Sequence, residues 1–275
     1  MRNAIVVFTK VPKAGETKTR LTTDRGGIFT PEEAQEFYEA CLLDVIDSCV
    51  ASGCCEVYIC HNQRGDGHYL KRLLETISEP RGIKEIFSDA GGSFDQAMQY
   101  AADYIMKAGG PDRLADSILI VGGDMPCLQP ATIQAAVNKL EIIASSSQAL
   151  ECARLREGCT SIGAAIIESA DQAGGFNIIG LTCTTPFTFD GVFYNQEGVT
   201  VLDMVVRKAL ERKIPLSLVE MVPDIDIPED LGGLIPVMNT LQLAQQYDVT
   251  AVAPKRTIKF LQDMGIESTA PVPEK

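Results

Sequence analysis

Short apolar runs alternate with amphipathic stretches along the first half of the chain. The runs at residues 4–8, 56–60, 83–87 and 117–121 are rich in β-branched residues and predict buried parallel strands. Apolar residues at helical spacing predict helices at 69–77 and 94–108, and another that opens at Pro130. The strongest helix signal begins at Pro31, because Thr30 can act as the N-cap and Glu33 can complete a capping box.

The second half of the chain continues this alternation less regularly. Residues 164–168, 177–181 and 215–222 predict strands, whereas 200–213 and the chain after Asp230 predict helices. We therefore expect a three-layer α/β/α fold with a mainly parallel, mixed sheet. Residues 1–247 would form a single domain and residues 248–275 a C-terminal helical appendage. Ligands of such sheets bind at the carboxyl ends of strands, here after Phe8, Phe87 and Val121.

Composition excludes several classes of function. The 275 residues include 24 basic and 37 acidic side chains, and the net charge of −13 is unlike that of a nucleic-acid-binding protein. No apolar run reaches membrane-spanning length and the first strand begins near residue 3, so we expect neither a membrane partner nor a signal peptide. The nine cysteines include the neighbours Cys54 and Cys55 but no CxxC pair, and we expect reduced thiols and a cytoplasmic location.

A basic loop follows the first predicted strand. Lys10, Lys13, Lys18 and Arg20 fall within eleven residues of an otherwise acidic chain, around Gly15. Lysine and arginine neutralise phosphate oxygens, and the loop's glycine and threonines expose backbone N–H groups, so the loop predicts a phosphate-binding site. A solvated basic loop is the alternative. The loop matches neither the Walker pattern nor the dinucleotide pattern GxGxxG.

Two acidic segments indicate a metal site. Asp124 follows the most apolar predicted strand and a glycine pair that ends in Gly123, where a carboxylate suits a hard divalent ion. A turn or helix-capping aspartate is the alternative. Residues 224–231 carry four acids within seven residues, which is more than a helix cap needs. One of these acids could meet Asp124 and complete the metal site.

The order of three motifs resembles that of a known family. KxPxxGxxKTRL after the first strand, GxDxP around Asp124 and the closing DIDxPEDL are similar to the motifs of a bacterial family of uncharacterised nucleotide-diphospho-sugar transferases. Some members of that family are labelled glycosyltransferases of arsenosugar biosynthesis. More distantly, the chain resembles nucleotidyltransferases that make molybdopterin dinucleotides, activated sugar acids and phospholactate–guanosine intermediates. The resemblance covers residues 4–245 and rests on the three motifs together.

The resemblance implies a Rossmann-like, GT-A-like sheet and assigns roles to individual residues. Asp124 and Asp226 would hold Mg²⁺, or Mn²⁺ in its place, and Asp124 would act in catalysis with Lys18 and Arg20. The turn at residues 89–98 would lie against the nucleobase, although a helix N-cap explains Ser93 nearly as well. The complete set of expected nucleotide-binding residues is Lys10, Lys13, Gly15, Lys18, Arg20, Gly91, Gly92, Ser93 and Gly123.

One segment departs from the family pattern. The family often carries DGGY-x-LIGL along the acceptor pocket, whereas this chain reads AGGFNIIGL, with Ala173 for the acid and Phe176 for the tyrosine. Gly174, Gly175 and Asn177 are the expected acceptor-binding residues, and a structural role at a strand edge is the alternative for Asn177. The departure leaves the chemistry of the acceptor open.

Three functions compete for the same residues. The leading hypothesis is nucleotidyl transfer, in which a small acceptor's phosphate or hydroxyl attacks the α-phosphorus of a nucleoside triphosphate. Glycosyl transfer from a nucleotide sugar is the alternative, although GT-A-like enzymes generally use a DxD pair and this chain has only Asp124 at that place. The third is a non-catalytic nucleotide-sugar-binding protein, which the altered acceptor segment favours. A homodimer is left open.

Overall fold

A seven-stranded sheet forms the centre of the protein, in a computed structural model that describes residues 1–154, 159 and 161–269. The strands cross the sheet in the order β3-β2-β1-β4-β6-β5-β7. Within this sheet β6 runs antiparallel to β4 and β5, and the other neighbouring pairs are parallel, so the predicted mainly parallel, mixed sheet is confirmed. Their bounds are β1 (Asn3–Thr9), β2 (Glu56–His61), β3 (Ile83–Ser88), β4 (Ser117–Gly122), β5 (Ile166–Ala170), β6 (Phe176–Thr182) and β7 (Leu216–Leu218).

Helices cover both faces of the sheet, as the predicted three layers require. Alternate side chains of a strand point to opposite faces, so Ile5 and Val7 pack in the core with α1, α2 and α4, while Ala4 and Val6 pack with α3 and α6. The helices are α1 (Pro31–Ala51), α2 (Gly67–Leu74), α3 (Phe94–Met106), α4 (Pro130–Ala144), α5 (Ser147–Cys152), α6 (Val201–Glu211), α7 (Pro228–Ala244) and α8 (Lys255–Asp263).

The C-terminal helices add a third apolar cluster beside α1. Phe37 of α1 packs there with Leu234 of α7 and with Ile258 and Leu261 of α8. The division of the chain at residue 247 stays a prediction, and residues 270–275 of the expected appendage lie outside the described residues. No helix among the described residues is both long enough and apolar enough to cross a membrane.

Several predicted elements differ in extent from the observed ones, and two of these differences have a clear cause. The strand expected at 215–222 stops at Leu218, because the chain beyond it bonds to a side chain: Ser169 Oγ donates to Glu220 O at 2.7 Å and accepts from Val222 N at 3.0 Å. Helix α2 begins earlier than expected, since Asp66 Oδ1 accepts from two backbone N–H groups and caps it. The capping box of Thr30 and Glu33 on α1 is confirmed.

Candidate functional site

A cavity of about 730 Å³ opens at the carboxyl ends of β1 and β4. Its walls come from the basic loop after β1, the glycine-rich turn before α3, the segment after β4, the turn before β6 and the acidic segment before α7. This is the edge of the sheet where ligands of open α/β folds bind. The cavity therefore collects segments that are far apart in the sequence.

The basic loop delivers Lys18 into the cavity through an unusual backbone conformation. Lys18 lies in the left-handed region, with φ 48° and ψ 39°, immediately before a short 3-10 turn. Its side chain is only 8% exposed, and Nζ lies 2.7 Å from both Asp124 Oδ2 and Asp226 Oδ1. A non-glycine residue with positive φ is strained, and such strain is concentrated at functional sites. Arg20 Nη1 lies 3.1 Å from Asp226 Oδ2 at the same place.

Three aspartates form the acidic side of this cluster. One carboxylate oxygen from each of Asp124, Asp224 and Asp226 lies within 4.8 Å of the others. Backbone bonding helps to place them, since Ile225 N donates to Asp124 O at 3.1 Å. Asp230 has a different role, because its Oδ2 accepts from the backbone N–H groups of Asp226 and Ile227 at the start of α7. The acidic segment thus contains both a helix cap and part of the site.

The charges in the cluster shift one another's pKa values. Burial alone would lower the pKa of Lys18, but the adjacent Asp124 and Asp226 outweigh burial and raise it, so Lys18 stays charged. Burial tends to raise the pKa of Asp226, whereas the charges of Lys18 and Arg20 lower it overall. Burial, and then repulsion by Asp124 and Asp226, raises the pKa of Asp224 to about 6. The charged form of Asp224 is therefore disfavoured in the cluster.

The glycine-rich turn forms another wall of the cavity. Asp89 Oδ1 accepts from Gln63 N and Gly91 N, both at 2.9 Å, and these bonds shape the turn. Gly91 and Gly92 have φ of 72° and 93°, which glycine adopts without strain. Ser93 Oγ accepts from the backbone of α3 as half of a capping box, so the helix-cap interpretation of Ser93 is confirmed. All of these residues except Gln63 nevertheless line the cavity.

Gly123 is needed for packing as well as for access. A Cβ atom at this position would lie 2.8 Å from both Leu42 Cδ1 and the Tyr38 hydroxyl oxygen, which is too close. The buried Tyr38 hydroxyl shares a hydrogen bond of 2.7 Å with Thr9 Oγ1 beneath the cavity. Gly123 therefore allows β4 to bring Asp124 close to α1.

The remaining wall is aromatic. Phe94 and Phe193 meet edge to face with ring centroids 4.6 Å apart, Phe176 lies 5.5 Å from Phe193, and Phe8 lies 5.6 Å from Phe94. Asn177 Nδ2 donates to Val222 O at 2.6 Å, which supports its structural role, although Asn177 also borders the cavity. The cavity thus has a charged end and an aromatic end.

Most of the residues singled out from the sequence meet at this cavity. Lys13 does not: its side chain is exposed and pairs with Glu16 of the same loop, and Gly15 and Gly174 also lie outside the lining. The expected residues that do line it are Lys10, Lys18, Arg20, Gly91, Gly92, Ser93, Gly123, Asp124, Gly175, Asn177 and Asp226.

Sequence reasoning missed several lining residues, among them Asp171, Asp224 and Phe193. The run of acids at residues 224–230 was a signal for Asp224. Asp171 lies two residues before Ala173 and supplies a carboxylate in the turn where the family's acid is lacking. Its Oδ1 accepts from Ala173 N and Gly175 N, which holds the turn in shape.

Comparison with known proteins identifies relatives of the sequence and of the fold. A model of the bacterial family described as "Uncharacterized protein conserved in bacteria (DUF2064)" matches residues 45–196, more than half of the chain. The matched segment includes Asp124 but neither Lys18 nor Asp226. No curated protein sequence matches the chain.

Solved structures have the same architecture. A protein of Desulfovibrio desulfuricans G20 classed as a nucleotide-diphospho-sugar transferase superposes with a TM-score of 0.69 at 19% identity, over 96% of both chains. A cytidylyltransferase from Leptospira borgpetersenii serovar Hardjo-bovis superposes with a TM-score of 0.52 at 11% identity, over 100% of both chains. At these identities the likeness establishes the fold, and it is the fold expected from the three motifs.

Proposed function

The chain belongs to the bacterial family DUF2064, and we propose that it is a Mg²⁺-dependent nucleotidyltransferase. The donor would be a nucleoside triphosphate, and the acceptor a small molecule that presents a phosphate or a hydroxyl group. The observation that carries the proposal is the meeting of Lys18 and Arg20 with three aspartates at one end of a cavity large enough for a nucleotide. Cations for phosphate and carboxylates for a metal ion are thereby brought to one place.

The donor set suits a hard divalent cation. Asp124, Asp224 and Asp226 offer only carboxylate oxygens, the ligands that Mg²⁺ prefers, and they lie close enough to share one ion. Burial and the two neighbouring carboxylates raise the pKa of Asp224, and a bound cation would stabilise its charged form. Mg²⁺ held there would supply electrostatic stabilisation of the charge that develops on the phosphate oxygens.

The cationic residues would bind and orient the triphosphate. Lys10, Lys18 and Arg20 line the charged end of the cavity, and each can contact phosphate oxygens. Lys18 now bridges Asp124 and Asp226, so it would have to release at least one carboxylate when a metal ion binds there. The polyphosphate of the donor offers Lys18 replacement partners, and this exchange would couple donor binding to metal binding.

Chemistry by direct displacement needs no nucleophile from the protein. An acceptor oxygen would bond to the α-phosphorus as the bond to the bridging oxygen breaks, and pyrophosphate would leave with the electron pair. An acceptor hydroxyl would also release its proton to solvent, whereas an acceptor phosphate has none to lose. Lys18 and Arg20 would stabilise the departing pyrophosphate. The aromatic end, with Phe94, Phe176 and Phe193, lies within the same cavity and would exclude water around the reacting groups.

Glycosyl transfer from a nucleotide sugar is the second candidate. The similarity in fold to the Desulfovibrio desulfuricans G20 protein, with its TM-score of 0.69, favours it. The same aspartates would then hold the metal ion beside a nucleoside diphosphate leaving group. We rank it second because three cations along the cavity are better matched to a triphosphate.

Isothermal titration tests the proposal. The four nucleoside triphosphates and common nucleotide sugars are titrated into the wild type and into Asp124→Ala, each with and without Mg²⁺. We expect one triphosphate to bind most tightly, only with Mg²⁺, and to lose its affinity in the variant. The matched control is Asp112→Ala, an exposed aspartate in the loop that leads into β4 at the opposite edge of the sheet.

Each outcome of the titration has a definite meaning. Tighter binding of a nucleotide sugar under the same controls would replace nucleotidyl transfer by glycosyl transfer. Equal binding by the wild type and Asp124→Ala would show that the metal site is assigned wrongly. Release of pyrophosphate from the preferred triphosphate, measured with candidate acceptors, would then identify the acceptor.

A further inference from the structure

A pair of neighbouring thiols lies at the edge of the sheet opposite the cavity. Helix α1 ends at Ala51, Gly53 turns the chain with φ 64°, and Cys54 and Cys55 follow directly before β2 begins at Glu56. Both cysteines are half-buried and both are free, with their Sγ atoms 3.8 Å apart. The function proposed above uses neither of them.

The separation of the two sulfurs matches that of two ligands of one metal ion. Two Zn–S bonds of about 2.3 Å at a tetrahedral angle place the sulfurs about 3.8 Å apart. A disulfide requires the sulfurs to approach to about 2.05 Å, so the observed pair is arranged as a dithiol. Adjacent cysteines therefore present both sulfurs to a common ion without any movement of the backbone.

The surroundings favour a cation bound to thiolate. The hydrogen bond from Cys55 lowers the pKa of Cys54, which favours the thiolate form that a metal ion binds. The negative charge of Glu141 acts on both thiols and would also attract a cation. Within the described parts of the chain, no third Cys, His, Asp or Glu ligand atom lies within 4.8 Å of both sulfurs. The remaining coordination positions would therefore be filled from outside the chain.

We propose that Cys54 and Cys55 together chelate one thiophilic cation of the Zn²⁺ type. Soft thiolate ligands select such ions over Mg²⁺, so this site and the aspartate cluster would bind different metals. Each sulfur binds as a thiolate, and any proton that a thiol holds passes to solvent as its metal–sulfur bond forms. No oxidation or reduction takes place.

Cadmium is the probe, because a thiolate-bound Cd²⁺ absorbs in the ultraviolet and a carboxylate-bound one does not. The full chain, reduced and stripped of metal, is titrated with Cd²⁺ and then with competing Zn²⁺. We expect one thiolate-bound ion per chain. Cys54→Ser and Cys55→Ser should each weaken binding by about a hundredfold, since the chelating partner is lost. The double variant should show no band, and Cys152→Ser, which replaces another half-buried free cysteine, should match the wild type.

A second measurement uses the wild type alone. Zn²⁺ should protect Cys54 and Cys55, but not Cys152, from alkylation, as peptide mass spectrometry would detect. The proposal is overturned if the wild type shows no thiolate band or if Zn²⁺ protects neither sulfur. It is equally overturned if either single variant binds Cd²⁺ as tightly as the wild type, because one thiol would then suffice.

Discussion

Two regions of the protein, one under helix α8 and one at the cavity, place a cation between two carboxylates. The two clusters differ in how many of their carboxylate oxygens have a hydrogen-bond partner. Under α8, Arg256 Nη1 lies 3.2 Å from Asp44 Oδ1 and 2.6 Å from Asp47 Oδ2. Asp44 Oδ2 also accepts from the backbone and the hydroxyl of Thr257, and both oxygens of Asp47 accept from Ser78. Every carboxylate oxygen in this cluster has a partner.

In the cluster at the cavity, not every carboxylate has a hydrogen-bond partner. Lys18 takes one oxygen of Asp124 and one of Asp226, and Arg20 takes the other oxygen of Asp226. Asp224 adds a third carboxylate that accepts no hydrogen bond from any other side chain in the described residues. Only Lys18 and Arg20 bond directly to these acids, and the side chain of Asp226 is 45% exposed.

The difference distinguishes a structural cluster from a binding site. A buried ion pair contributes to stability only when its remaining hydrogen-bonding positions are filled, as they are for Asp44 and Asp47. A cluster with unfilled carboxylate acceptors is less favourable for folding but suited to a ligand that supplies positive charge. We therefore expect a single substitution at the cavity to reduce activity and a single substitution under α8 to reduce stability.

The largest expected effect is on activity at the cavity. Asp226→Asn keeps the size of the side chain but removes a charge from the proposed metal site, so the rate of pyrophosphate release should fall by about 10²–10³-fold. Asp47→Asn is the matched substitution in the other cluster and should leave the rate within about twofold. An equal loss of rate in both variants would mean that the cavity cluster is not specific to the reaction.

The next effect is on stability under α8. Asp44→Ala would leave the backbone N–H groups of Arg256 and Thr257 without their acceptor, although the Arg256 guanidinium keeps Asp47, and should cost about 3 kcal/mol in the free energy of unfolding. Urea denaturation measures this free energy, and Asp44→Asn should restore part of it. The affinity for the preferred nucleotide should stay the same. A variant that folds with wild-type stability would show that α8 does not depend on this cluster.

The contrast also shows what the sequence could and could not predict. The alternation of β-branched runs with amphipathic stretches is local, and so the sheet, its helices and the position of Asp124 at a strand end followed from it. Asp226 was placed beside Asp124 by a resemblance, since nothing local brings together residues separated by about a hundred positions. Local pattern also does not distinguish Asp224, which borders the cavity, from Asp230, which caps α7. The cluster around Arg256 was not predicted, because each of its acids looks like an ordinary helix-surface residue in sequence.

A buried acid without any hydrogen-bond partner extends the comparison. Glu168 of β5 is fully buried, neither of its side-chain oxygens has a hydrogen-bond partner among the described residues, and burial raises its pKa to about 7. The native state therefore holds a proton on Glu168 that the unfolded chain loses near pH 4.5. Stability should fall as the pH rises from about 4.5 to about 7, by up to about 3 kcal/mol.

Glu168→Gln tests this prediction because the amide does not titrate. Urea denaturation at a series of pH values should show the fall in the wild type and a flatter profile in the variant, with the two diverging most above pH 7. The Asp47→Asn variant is the control, since it should keep the wild-type slope in this range. Parallel profiles for the wild type and Glu168→Gln would show that Glu168 is ionised, and thus solvated, in the native protein.

The smallest expected effect concerns the cation that already occupies the cavity cluster. Lys18 neutralises Asp124 and Asp226 and so competes with a metal ion for both carboxylates. Lys18→Met keeps the length of the side chain but removes its charge, so Mn²⁺ should bind about tenfold more tightly in the absence of nucleotide, as titration calorimetry would measure. Nucleotide affinity should weaken at the same time, because the same ammonium would hold the phosphates. Weaker Mn²⁺ binding in Lys18→Met would mean that the lysine positions the carboxylates for the metal. The control is Arg256→Met, which also loses a positive charge but should leave Mn²⁺ binding unchanged.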